Sequence, residues 1–115
     1  MHIYKLLRPV EYEELQRLGQ TAGAPVDVAD GFVHFSTADQ LAGTLAKHFA
    51  GHASLWLLTI DGAAPDVSAS LEWEPSRGGA LFPHLYAPLR LADVIEARLI
   101  EAAPDGAHTL PDGLR

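Results

Sequence analysis

The stretch SLWLLTID, residues 54–61, constrains this chain more than any other segment. It is a nearly continuous apolar run, bounded by glycine and proline, without the alternation of a half-exposed strand. Such a run suits a central strand with both faces covered. The other segments are read as its neighbours or its cover.

HIYKLL (2–7) reads as a first strand. Pro9 suits the first turn of a helix, and Tyr12, Leu15 and Leu18 give it one apolar stripe before Gly19. A loop, TAGAPVDVAD, leads into a strand GFVHFS over 31–36. Thr37 followed by Gln40 is a capping-box pattern, so a second helix is expected from about residue 37. Leu41, Leu45 and Phe49 form its apolar face, and Gly51 closes it in a left-handed turn. SLEWE (70–74), LFPHLY (81–86) and VIEARLIE (94–101) are extended, with PSRGG breaking the chain between the first two. Two helices near the N-terminus and four later extended segments predict a small single α+β domain over residues 1–103. The Pro/Gly-rich residues 104–115 are expected to form an irregular tail. Periodicity leaves the strand order open.

Charge and composition exclude several classes of function. Eight Lys plus Arg against fifteen Asp plus Glu give a net charge of −7, which argues against a broad nucleic-acid surface. A local contact with one nucleotide remains compatible with it. The absence of cysteine excludes disulfides, thiolate nucleophiles and Cys-ligated zinc. The N-terminus, MHIYKLLRPVEYEE, has no apolar stretch of signal-peptide length, and no segment reaches the roughly 18 apolar residues of a membrane span. The chain reads as cytoplasmic and soluble, with no membrane partner.

Within DGFVHFSTADQ a histidine interrupts an apolar strand, with a serine two residues on. Side chains alternate across a strand, so Phe32, His34 and Ser36 share one face and Val33 and Phe35 the other. LFPHLYAPL repeats the spacing, placing Phe82, His84 and Tyr86 on one face. Glu72 and Glu74 share a face opposite Leu71 and Trp73. Polar pairs at period two in three strands suggest a lined cleft, with His34, Ser36, His84 and Tyr86 converging on it.

Each candidate carries two readings. His34 is either a core histidine satisfied by a partner or a ligand group. Ser36 and Thr37 either cap the following helix or, with its unpaired N–H groups, hold a phosphorylated ligand. Trp73 is core packing or a base-stacking platform; Glu74 is part of a solvated face or an acid/base group. Arg77, in the glycine-rich SRGG turn, is a surface charge or an anion contact. His48 and His52 stand at a metal-ligand spacing, but Gly51 between them breaks the helical face a metal would need, and no metal is expected.

The strings DGFVHFSTADQLAGTLAKHFAG, LEWEPS and LFPHLYAPLRLADV resemble a bacterial family known as domain of unknown function 952, over about residues 2–100. That family looks like a compact member of the ADP-ribosyltransferase-like superfamily, in which split antiparallel sheets enclose an NAD cleft. The resemblance implies NAD as the cofactor and a small nucleotide as the partner. His34 and Ser36 of VHFS resemble the first-strand histidine and hydroxyl that hold the ribose of NAD, with Phe35 in place of a small middle residue. His84 or Tyr86 of PHLY corresponds to the group packed on the nicotinamide side. No glutamate stands in a recognisable version of the catalytic motif; Glu74 is nearest, with Glu96 and Glu101 as alternatives. The implied chemistry is cleavage of an N-glycosidic bond through an oxocarbenium-like state, with His34 on the ribose, Tyr86 or Trp73 on the base and Glu74 supplying charge. A non-catalytic small-ligand module in the same cleft is the alternative. So is an RNA 2′-phosphotransferase-like enzyme, which would draw on Arg77 and Arg90 for phosphate.

Overall fold

The computed structural model describes residues 1–111 and residue 114, with Arg77 described by its backbone alone. Among the described residues, three antiparallel sheets and four α-helices make one α+β domain. The first sheet has the order β1-β4-β8, from β1 (His2–Leu7), β4 (Ser54–Asp61) and β8 (Val94–Glu101). The SLWLLTID run is therefore its central strand. β3 (Val33–His34), β6 (Leu81–Leu85) and β5 (Leu71–Pro75) form the second, in the order β3-β6-β5. The third pairs β2 (Gln20–Thr21) with β7 (Leu89–Arg90). A single bridge joins the first two sheets: the Tyr4 N–H donates to the Ser36 carbonyl at 2.8 Å and the Ser36 N–H to the Tyr4 carbonyl at 2.9 Å.

Alternation along β1 and β4 feeds two apolar layers. Ile3, Leu7, Leu58 and Ile60 pack with Leu15, Val33, Phe35, Leu85 and Leu89 on one side. Tyr4, Leu6, Leu55 and Leu57 meet Leu41, Leu45, Ile100 and Leu110 on the other. Burying leucines such as Leu41 and Leu45 stabilises the fold by about 1.5–3 kcal/mol each. Leu110 brings the tail into the second layer, and Ala102 pairs with His108, so the C-terminal stretch is less irregular than its composition suggests.

The first helix, α1 (Pro9–Leu18), ends on Gly19 at φ 78°, as its sequence dictates. Its stripe differs from expectation. Leu15 is buried and Tyr12 stacks on Trp56 at 4.3 Å, but Leu18 faces solvent. Glu11 is buried in its place, bonded to the Arg8 guanidinium and to the Arg8 N–H. The segment read as a loop holds β2 and a further helix, α2 (Pro25–Asp30). Its valines, Val26 and Val28, point outward, which erased the amphipathic signal.

The helix expected from 37 is α3 (Ala38–His48), with Leu41 and Leu45 buried and Phe49 half-buried at its end. The Gln40 side chain accepts from the Thr37 N–H at 3.0 Å and donates to the Leu81 carbonyl at 2.8 Å, tying the helix start to β6. A fourth helix, α4 (Pro65–Ser68), precedes β5. The expected strand 31–36 is regular only at Val33–His34, because Gly31 closes α2 and Ser36 crosses to β1. Among the described residues, no helix is long and apolar enough to cross a membrane.

Candidate functional site

Val33 and Phe35 enter the core, so His34 and Ser36 turn the other way. β3 lies antiparallel to β6 with His34 directly opposite His84, their rings 5.2 Å apart and edge-on. Phe32 stacks on His84 at 4.2 Å and leans on Tyr86 at 5.1 Å.

Two groups that the sequence reading passed over hold this arrangement. The side chains of Lys5 on β1 and Asp27 on α2 are almost fully buried against one another, Nζ to Oδ2 at 2.9 Å. The same Asp27 oxygen accepts from the Ala24 N–H at 2.7 Å. Its other oxygen accepts from the His34 N–H at 2.9 Å and meets the His34 Nδ1 at 2.6 Å. Lys5 also donates to the His34 carbonyl at 2.9 Å. Burial pushes the Asp27 carboxyl up, but its bonds to His34 and the Lys5 ammonium outweigh that and hold it at about 2. Burial lowers Lys5 below the ordinary lysine range, against the opposing pull of Asp27. A side chain on Gly23 would strike Asp27, a Cβ there lying 2.2 Å from Oδ2. The glycine thus lets the backbone close over the carboxylate.

The far side of the His34 ring meets the exposed carboxylate of Asp30, Nε2 to Oδ2 at 2.9 Å. Both imidazole nitrogens thus face carboxylate oxygens, and both contacts are hydrogen bonds at once only when both nitrogens carry hydrogen. Ser36 is buried with its hydroxyl 2.9 Å from that of Thr44, which in turn donates to the Gln40 carbonyl at 3.1 Å.

These residues open on a cleft of about 570 Å³ between β1, the start of α2, α3 and β6. His34, Ser36 and His84 line it together with Lys5, Arg8, Thr44, Lys47, His48, His52 and Ser76. Four of the chain's six histidines stand here, and Asp30 is the single carboxylate among the described lining residues. Asp27 and Glu11 balance Lys5 and Arg8 from behind. Lys47 is exposed, with no ion-pair partner among the described residues.

The remaining candidates lie beyond the cleft wall. Glu74 meets His84 Nδ1 at 2.8 Å and accepts from the Tyr86 hydroxyl at 2.6 Å. The bond to Glu74 raises the Tyr86 phenol to about 12, and the bonds from Tyr86 and His84 lower the Glu74 carboxyl. Glu74 therefore touches the cleft only through His84. Trp73 is neither core nor lining: it lies exposed on β5 opposite Pro83. Thr37 caps α3 without facing the cleft. The Arg77 side chain lies outside the described residues. Arg90 is held by Asp66 and Asp93, and Glu96 and Glu101 sit on β8, all away from the cleft. His52 falls past the end of α3, its ring edge-on to Phe49 at 5.5 Å, so it shares no helical face with His48.

Fold and site together define a small antiparallel α+β domain with a histidine-lined cleft. The chain belongs to the family described as Protein of unknown function (DUF952), whose model matches residues 6–97. It is similar to the crystal structure of protein CC0527 from Caulobacter crescentus, at 41% identity and a TM-score of 0.91, covering 99% of this chain and 98% of that one. A crystal structure of a double mutant of CC0527 gives the same values. The solution NMR structure of CC0527 has a TM-score of 0.79, over 91% of this chain and 89% of that one. No curated protein matches the chain.

Proposed function

We propose that the cleft binds a small phosphate-bearing ligand of the NAD or ADP-ribose type. One observation carries this reading. In a chain of net charge −7, the cleft wall carries Lys47, exposed and without an ion-pair partner among the described residues, beside four histidines and one facing carboxylate, with Lys5 and Arg8 already balanced by Asp27 and Glu11. A concave site rich in N–H and O–H donors and poor in acceptors selects an anion. The Ser36, Thr44 and Ser76 hydroxyls add partners suited to a ribose. The resemblance to ADP-ribosyltransferases narrows the anion to a nucleotide, and the cleft volume lies within the few hundred to ~1,000 Å³ usual for ligand sites.

A second reading, that the site also cleaves the ligand, has its own support. Asp27 orients the His34 ring through Nδ1 and turns Nε2 outward toward Asp30, the arrangement of a positioned acid/base. Release of nicotinamide from NAD separates an enzyme from a binding module.

Calorimetric titration with ADP-ribose, NAD and inorganic phosphate tests the first reading. Wild-type protein binds the nucleotides, more weakly as salt rises, and Lys47→Glu weakens them by about tenfold with melting unchanged. His34→Ala is the less clean probe. It strips Asp27 of a partner and lowers stability by about 1–3 kcal/mol whether or not a ligand binds. Absence of binding to either nucleotide at millimolar concentration contradicts the proposal.

A further inference from the structure

β8 is an open edge. In the order β1-β4-β8, the bridge to Ser36 occupies part of the β1 edge, whereas no described strand pairs with the outer side of β8. β8 is also one of the longest strands, at 8 residues, and pairs regularly with β4 from Glu101 to Glu96 before the register shifts at its N-terminal end. Long open edges invite another strand unless something blocks them. Proline and lysine, two common blocks, are absent from VIEARLIE; its charges, Glu96, Arg98 and Glu101, are of both signs, and its one irregularity, at Val94–Glu96, is confined to the N-terminal end.

The sequence of this edge is self-complementary. Around Ala97, Val94-Ile95-Glu96 on one side mirrors Arg98-Leu99-Ile100 on the other, apolar against apolar and acid against base. Two copies laid antiparallel about a twofold axis at Ala97 set Glu96 opposite Arg98 of the second copy, twice, with Ile95, which the register shift leaves without a β4 partner, toward its Leu99. Opposite charges facing each other across strands stabilise a pair, and like charges oppose it. Moving the axis to Glu96 faces two glutamates and moving it to Arg98 faces two arginines, and of the registers about residues 95–99 the one at Ala97 is the one that sets Glu96 opposite Arg98. Glu96 and Arg98 are both more than half exposed and only 3.7 Å apart within one chain, available to exchange partners. Ile95 and Leu99 are large apolar side chains left at 57% and 45% exposure.

We infer that β8 is the interface between two copies of this chain, which join edge to edge into one continuous six-stranded sheet. The twofold makes the contact isologous and closed, so assembly stops at the dimer. No β8 residue lines the histidine cleft, and both clefts remain open.

Sedimentation equilibrium of the full chain across a wide concentration range tests this, with melting as the control for folding. The wild type sediments as a dimer. Arg98→Glu, which sets Glu96 against a new glutamate, shifts it to monomer with melting otherwise that of a folded domain. The charge exchange Glu96→Arg with Arg98→Glu restores the dimer. A wild type that is monomeric up to about millimolar concentration overturns the inference. An Arg98→Glu dimer as tight as wild type also overturns it, as does a charge-exchanged protein that stays monomeric.

Discussion

Asp27 is the residue on which most of the site depends. Its oxygens hold a lysine, a histidine ring and two backbone N–H groups that approach from β1, α2 and β3. Removing one member of a buried ion pair leaves the other charged and unpaired, a loss of about 3–5 kcal/mol. Asp27→Asn should lose stability on that scale in urea denaturation, because Lys5 is left charged in the interior. The same residue sets a pH dependence. The folded carboxyl is held at about 2 against an ordinary 3.8, so the unfolded chain takes up the proton first. Its stabilisation is complete above about pH 4 and fades as the pH falls toward 2, by on the order of 2 kcal/mol. Wild-type protein should therefore show a component of acid destabilisation in that window that Asp27→Asn lacks.

At the scale of elements, the join between α3 and β6 runs through Gln40. It closes the helix start at the Thr37 N–H and reaches the Leu81 carbonyl. Gln40→Ala should cost about 0.5–2 kcal/mol in thermal or chemical melts, while nucleotide binding persists wherever the protein stays folded. A loss of binding without a loss of stability would mark this helix start as a ligand contact. Elements with strong patterns were legible in the sequence. β4 declared itself by an unbroken apolar run, α1 by Pro9 and Gly19, and α3 by its Thr37–Gln40 start. α2 was not, since it is 6 residues long and its valines face water. β2 and β7, at 2 residues each, are too short to show any period. The alternation argument brought His34, Ser36 and His84 to one cleft but stopped there. Lys5 was not singled out in the sequence, although it shares its strand face with Ile3 and Leu7, both fully buried. That was the available signal. Its partner Asp27 carried none, because only the tertiary fold brings it 22 positions back to Lys5. Glu74 illustrates the converse: the family resemblance made it the nearest candidate for a catalytic glutamate, and its Oε1 meets both His84 and Tyr86 away from the cleft.

For the molecule as a whole, the account rests on the uneven distribution of charge. The chain carries a net charge of −7, and under the proposed reading an anionic ligand would gain beside the unpaired Lys47 of the cleft what it would lose beside the chain's carboxylates. The buried Lys5–Asp27 pair supports the cleft wall, and a ligand of the proposed kind would meet it already formed. The most direct test is an NMR titration of uniformly labelled protein with ADP-ribose, followed residue by residue. The predicted result is a saturable set of shifts confined to Ser36, Thr44, Lys47, His48, His52 and His84 and their neighbours. The same titration on Lys47→Glu should need about tenfold more ligand to reach half-saturation. No shifts at millimolar ligand, or shifts centred away from the cleft, would contradict the account.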